Sequence, residues 1–260
     1  MKLTNHPKSM EIGNGLLINN DCLIAMDELI AQGVKVDAII TDPPYWTTAC
    51  KWDTIIPFDK MWERLNKLIK PNWAIVLFWS EPFSSALRMS NIKNYKYDWK
   101  WNKVKATNHL NSKRQPLRVF EDIIIFNTKS YNPQMQDREK VRINKWSNKE
   151  LSDWTWKWTY WKHFDIWWVY NQRFPINEIK ISNADKTNVL HPTQKPVALI
   201  EYLIKTYTNE WETVLDFTAW SFTTAVACEN TNRKWICIEM SEEYCKIWKE
   251  RIIKNRINNI

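Results

Sequence analysis

Four consecutive residues, Asp42-Pro43-Pro44-Tyr45, place a carboxylate, two prolines and an aromatic ring at the end of the apolar run Val36-Asp37-Ala38-Ile39-Ile40-Thr41. These types suit one difficult reaction, the alkylation of an exocyclic amine on a nucleic-acid base. That amine is a poor nucleophile because its lone pair is delocalised into the ring. A protein that uses it must accept hydrogen bonds from both N–H groups and favour a tetrahedral nitrogen. Asp42 offers a carboxylate acceptor. Pro43 offers a backbone carbonyl with φ fixed by its ring, and Pro44 stiffens the turn without adding an N–H. Tyr45 offers a π-face for a base drawn out of the stack. All are preorganised acceptors and surfaces, as a positioning mechanism requires. Trp46, the next residue, fits this chemistry badly.

A second candidate lies late in the chain. Val214-Leu215-Asp216-Phe217-Thr218-Ala219-Trp220-Ser221-Phe222-Thr223-Thr224 reads as strand, tight loop and helix start. Such a loop brings backbone N–H groups close to a nucleotide-like ligand. Glu239 ends the following strand; an acidic residue about 20 positions on suits a ribose diol, although a solvated strand end is equally compatible with it. Just upstream, His191-Pro192-Thr193-Gln194-Lys195-Pro196 is a rigid helix start bracketed by two prolines.

These segments need a scaffold that presents them together. Apolar runs predict strands over 36–40, 74–78, 97–102, 121–127, 213–217 and 234–240, with a shorter run at 15–19. Helical spacing predicts helices over 22–30, 59–69, 81–89, 196–206 and 223–230, with Asp21 capping the first and Ser241 opening a final one. Strands alternate with helices and read as continuous apolar runs. That pattern predicts an α/β fold with a mostly parallel sheet and helices on both faces. From 129 to 188 the periodicity decays into polar, basic and aromatic text, read as an inserted loop-rich lobe. The chain therefore divides into 1–128, the lobe 129–188, and 189–260, whose first and last parts form one domain.

The chain has 260 residues, 44% of them hydrophobic, which suffices for one large domain with an insertion. Its net charge of +8 suits a phosphate-rich partner. Five scattered cysteines and four histidines suggest no metal site and no disulfide framework, and they suit a reducing, cytoplasmic setting. The amino terminus lacks a signal-peptide core, and no apolar run approaches a membrane span. One count is abnormal: the chain has 3 Gly and 18 Trp. Ordinary usage near ~7% would give roughly 18 glycines.

The motifs and their order resemble the beta class of S-adenosylmethionine-dependent DNA amino-methyltransferases. The resemblance rests on Asp42 to Tyr45, then His191 to Pro196, then Asp216 to Thr224, with the catalytic half first and the cofactor half last. Further matches are Trp101-Asn102-Lys103, the segment from Asn111 to Arg118, and Glu121-Asp122-Ile123. The resemblance implies a Rossmann-like fold in which Asp42 and the Pro43 carbonyl bind the target amine, Pro44 stiffens the turn and Tyr45 stacks on the flipped base. It places Asp216, Thr218, Ser221, Thr223 and Thr224 at the amino-acid end of S-adenosylmethionine, Glu239 at its ribose and Asp21 near its adenine. Thr193 and Lys195 would close over the methionine moiety. Lys103, Lys113, Arg114 and Arg118 would face double-stranded DNA, and the 129–188 lobe would read the target sequence. A homodimer is left open.

The implied activity is site-specific DNA methylation of the restriction-modification type. Adenine N6 is favoured, because Asp at position 42 is usual for adenine enzymes of that class; cytosine N4 enzymes more often carry Ser. The alternatives are a cytosine N4 enzyme and a DNA-binding relative made inactive by Trp46 and Trp220. The family pattern has Gly at both of those positions. Phe222 replaces another usual Gly, and Trp73, Trp79, Trp211 and Trp248 stand where Gly or a small residue is common. The expectation is that an indole at position 220 takes space that the cofactor's methionine end needs.

Overall fold

The computed structural model describes residues 9–44, 56–137, 172–183 and 194–258. The chain packs as two compact units, one comprising Met1–Asn132 with Asn177–Ile260, the other Pro133–Ile176. The larger unit is built on a nine-stranded sheet in the order β1-β2-β11-β10-β3-β4-β6-β5-β9. Its strands are β1 (Ser9–Ile12), β2 (Gly15–Asn19), β3 (Val36–Thr41), β4 (Ile69–Trp79), β5 (Tyr95–Thr107), β6 (Arg118–Phe126), β9 (Glu178–Lys180), β10 (Thr213–Asp216) and β11 (Lys234–Glu239). Within this sheet only β1 and β6 run against the rest. In the smaller unit β7 (Gln136–Asp137) pairs antiparallel with β8 (Gln172–Arg173).

Six α-helices flank the sheet among the described residues: α1 (Cys22–Ala31), α2 (Phe58–Leu68), α3 (Phe83–Ser90), α4 (Val197–Tyr207), α5 (Thr223–Asn230) and α6 (Glu242–Asn258). Alternation along the strands sorts the core into two layers. Ala38, Ile40, Val76 and Val214 face α4 and α5, packing with Leu203, Ile204 and Ala225. Ile39, Ile75, Leu77 and Leu215 face α1 and α2, packing with Met26, Leu29, Met61 and Leu65. Burial on both faces explains why these strands read as unbroken apolar runs.

The ends of several elements match their local chemistry. Asp21 caps α1, accepting hydrogen bonds from Leu23 N at 2.9 Å and Ile24 N at 3.2 Å. Ser241 opens α6, its Oγ accepting from Tyr244 N at 3.3 Å.

Three features depart from the sequence reading. β1 is a strand that the apolar pattern did not signal; it joins β2 through a turn with Gly13 at φ 58. β6, to which the sequence pattern gives no direction, runs antiparallel to β4 and β5. Its run Ile123-Ile124-Ile125 reports two-sided burial, which central strands of either direction share. The segment drawn at 129–188 is narrower in space, because β9 docks parallel on β5 and so belongs to the main sheet.

Candidate active site

β3 and β10 are neighbours in the sheet, with Ala38 opposite Val214 and Ile39 opposite Leu215. The chain leaves β3 toward β4 on one side and leaves β10 toward β11 on the other. Such divergence opens a crevice beyond the carboxyl ends of the two strands, the place where open α/β sheets bind ligands. Asp42 and Asp216 stand at these two ends.

A hydrogen-bond brace joins them. Asp216 is buried, and its carboxylate accepts from Thr41 Oγ1 at 2.7 Å, Thr218 N at 3.2 Å and Thr224 Oγ1 at 2.6 Å. Burial pushes its carboxyl above the ordinary range, opposed by those three donors. Thr218 Oγ1 lies 2.7 Å from Thr41 Oγ1 and donates to the Asp42 carbonyl at 3.2 Å. Ser221 Oγ and Thr223 Oγ1 pair at 2.9 Å at the start of α5, and Arg251 Nη1 donates to the Ser221 carbonyl at 2.6 Å.

The Asp42 side is an ion cluster of one buried carboxylate, Glu121, and three half-buried groups. Lys195 Nζ lies 3.1 Å from Asp42 Oδ2 and also pairs with Glu121 Oε1. Lys103 Nζ lies 3.0 Å from Glu121 Oε2. Below the Lys195 ammonium are the Phe78 ring at 5.1 Å and the Trp101 ring at 5.6 Å. Burial raises the Glu121 carboxyl, but the two ammonium groups more than offset it and hold Glu121 below its usual value. Asp42 shifts the other way: burial pushes it up, against the opposing pull of Lys195. Asp42 Oδ1 is buried and has no hydrogen-bond partner among the described residues. An unfilled carboxylate acceptor in a buried site is costly unless a ligand donates to it.

An indole crosses the crevice as well. Trp220 Nε1 donates to the Asp42 carbonyl at 2.8 Å, so its indole reaches from the β10 loop to the β3 exit. Trp220 has φ 38, in the left-handed region that glycine adopts freely and a bulky side chain resists. Phe222, two residues on, has φ 53, and Trp211 has φ 66.

The chain matches the DNA methylase family over residues 36–250. It belongs to that family. It is 27% identical to the type II methyltransferase M.HpaI of Haemophilus parainfluenzae over 233 residues, covering 84% of this chain and 68% of the relative. The solved M1.HpyAVI–SAM complex superposes with a TM-score of 0.61 at 26% identity, covering 90% of this chain and 98% of the other. The cytosine-N4-specific PvuII DNA methyltransferase shares the fold, with a TM-score of 0.64 at 17% identity over 94% of this chain and 91% of the other. The family is S-adenosylmethionine-dependent.

Within this methylase the crevice brings together Asp42, Lys195, Asp216, Thr218, Ser221, Thr223 and Thr224. Pro43 is buried beside Asp42 and Pro44 is half-buried. Glu239 stands at the exit of β11, accepting from Ser241 N at 2.8 Å, and burial raises its carboxyl to about 7 against backbone N–H groups that include that of Trp220. Asp21 is held at the same edge, because Asn20 N donates to the Glu239 carbonyl at 3.1 Å. Tyr45, Trp46 and Thr193 lie outside the described residues, as do His191 and Pro192.

Two groups of residues sit differently from expectation. Lys103 is turned inward onto Glu121 rather than outward to a phosphate, with 14% of its side chain exposed. Lys113 and Arg114 are exposed on the connection from β5 to β6, and Arg118 is exposed at the start of β6. Trp73 lies within β4, and it is the neighbouring Asn72 that takes the left-handed turn at φ 67. Asparagine tolerates that conformation, which leaves Trp73 free to extend the strand. Sequence reading noted Glu121 only as part of a matching tripeptide. Its signal was one of two carboxylates, Glu121 and Asp122, directly before the apolar run Ile123-Ile124-Ile125-Phe126. Thr41 and Phe78 had no local signal, and Trp101 stood only within the matching Trp101-Asn102-Lys103 segment.

The acidic anchors and the hydroxyls of the α5 start fit S-adenosylmethionine. The crossing between them does not, because the Trp220 indole lies in it.

Proposed function

We propose that the chain is a DNA amino-methyltransferase of the modification type, acting on adenine N6 of a base drawn out of the duplex. The observation that carries this reading is Asp42 Oδ1, a buried acceptor with no partner among the described residues, at the exit of β3. An exocyclic amine has two N–H donors, and its lone pair becomes available only when both are engaged. Asp42 Oδ1 accepts one of them. Lys195 holds Asp42 Oδ2, which fixes the carboxylate plane and keeps Oδ1 aimed away from the ion cluster. Glu121 in turn holds Lys195 in place. The second N–H goes to the Pro43 carbonyl, and Tyr45 stacks on the base. Such acceptors gain strength in a water-poor site because they are set before the charge develops.

Adenine is favoured over cytosine by Asp, rather than Ser, at the head of the tetrapeptide. Double-stranded DNA is the partner. Lys113, Arg114 and Arg118 contact phosphates, and a share of binding carried by such contacts falls with added salt. The test is transfer of labelled methyl groups to DNA by this chain and by a double variant, Trp46→Gly with Trp220→Gly. Nucleoside digestion of the product then separates N6-methyladenine from N4-methylcytosine. Absence of label from both proteins would sink the enzyme reading, and label in cytosine would sink the adenine assignment.

A further inference from the structure

Trp220 is held at both its side chain and its backbone. Its indole N–H donates to the Asp42 carbonyl at 2.8 Å, and its backbone N–H is among those bonded to the Glu239 carboxylate. The loop around it is pinned on both sides: Ala219 N donates to the Ile238 carbonyl at 2.9 Å and Phe222 N to the Ala219 carbonyl at 2.6 Å. Between those pins the backbone turns through φ 38 at position 220. The indole therefore cannot leave the crossing by a small backbone adjustment; a change of rotamer that gives up the Asp42 contact is needed. Trp211 has the same backbone problem, with φ 66, but lies outside the crevice and is 58% exposed.

We infer that the fold is built for glycine at positions 211 and 220, and that the Trp220 indole is a plug that keeps S-adenosylmethionine out of the crossing between Asp216 and Asp42. Glycine adopts the left-handed turn without a Cβ penalty and leaves the crossing empty. In the plugged chain the ligand binds only the fraction of molecules whose indole has swung away. An open fraction of about 1% weakens apparent affinity about a hundredfold. The inference rests on reading this crevice as the cofactor site of a methyltransferase.

The experiment is calorimetric titration of S-adenosylmethionine into the 260-residue chain and into Trp220→Gly, Trp220→Ala and Trp211→Gly, with circular dichroism as the check on folding. Trp220→Gly and Trp220→Ala should bind about a hundredfold more tightly than the parent, and Trp211→Gly should bind like the parent. Equal affinity of parent and Trp220→Gly overturns the plug. So does tight binding by Trp220→Gly together with parent-like binding by Trp220→Ala, since alanine also removes the indole. Failure of Trp220→Gly or Trp211→Gly to fold overturns the claim that these are glycine positions. Tight binding by Trp220→Gly together with no methyl transfer to DNA by the Trp46→Gly, Trp220→Gly double variant leaves the plug standing and removes the DNA methyltransferase reading instead.

Discussion

Trp235 and Trp220 are the same residue type in one sheet unit, and the fold treats them in opposite ways. Trp235 lies in β11, opposite Gly15 of β2. It is fully buried, and its Nε1 donates to Glu229 Oε1 at 2.9 Å. Gly15 makes the room: a Cβ there would come within 2.1 Å of the Trp235 ring. Trp220 sits in a loop at left-handed φ, and its ring lies across a ligand crevice. An indole is thus welcome where an extended backbone and a facing glycine provide its volume. It is a burden where the backbone itself requires glycine. The abnormal composition of 18 Trp against 3 Gly therefore mixes tryptophans of very different standing.

The comparison breaks most sharply at Trp235. Trp235→Ala should cost about 3–5 kcal/mol through lost contacts and the cavity left behind. Denaturant melts report that loss, and a loss under 1 kcal/mol, roughly the scale of an ordinary surface change, would show that Trp235 is not the anchor described. From the other side of the same contact, Gly15→Ala should cost about 1–3 kcal/mol, because its methyl group enters the indole. An unchanged Tm for Gly15→Ala contradicts the register of β2 on β11.

Trp220→Gly and Trp211→Gly should move stability the opposite way. Relief of the left-handed strain is worth about 1–2 kcal/mol, offset by about 0.4–1 kcal/mol of extra freedom that glycine gives the unfolded chain. A net gain near 0.5–1 kcal/mol is expected for each, read as a higher urea midpoint with unchanged slope. Destabilisation of both variants would dissolve the contrast with Trp235.

An effect of similar size concerns Glu239, which ends the strand carrying Trp235 and bonds to the backbone of Trp220. Its folded value is raised to about 7 from an ordinary 4.5. Between those values the folded state binds more protons than the unfolded one, so stability falls as pH rises. The contribution is complete below about pH 4.5 and is lost as pH passes through about 7. The expected loss is ~1 kcal/mol, less than the full shift would imply because the carboxyl is partly solvated. Glu239→Gln should flatten that slope in chemical melts from pH 4.5 to 8, and an unaltered slope assigns the titration to other groups.

Much of this molecule is legible along the chain because local patterns report local causes. The run Ala38-Ile39-Ile40 announces a strand covered on both faces. The spacing of Met61, Leu65 and Leu68 announces the buried side of α2. Asp21 and Ser241 announce helix starts, because a short polar side chain satisfies free backbone N–H groups there. Asp42 and Asp216 are visible as carboxylates at the ends of apolar strands. Other features have no local trace. Nothing around Glu121 signals that it holds Lys195 from 74 positions away. Lys103 looks like any basic residue of a polar stretch, yet it is drawn inward by the same carboxylate.

The residue sequence by itself determined the central strands and the helices, though not β1 or β9, that the sheet is covered on both faces, and which two strand ends carry acidic groups. Periodicity and capping depend on neighbours within a few positions, so they can be read in order along the chain. Only the tertiary structure decided that β3 and β10 lie side by side, with Thr41 and Asp216 in contact across 175 positions. It alone gathered Asp42, Lys195 and Glu121 into one cluster, and it alone placed Trp220 in a left-handed turn across the crevice. Strand order and loop φ are set by how distant elements close on one another, and no short stretch of sequence contains that closure.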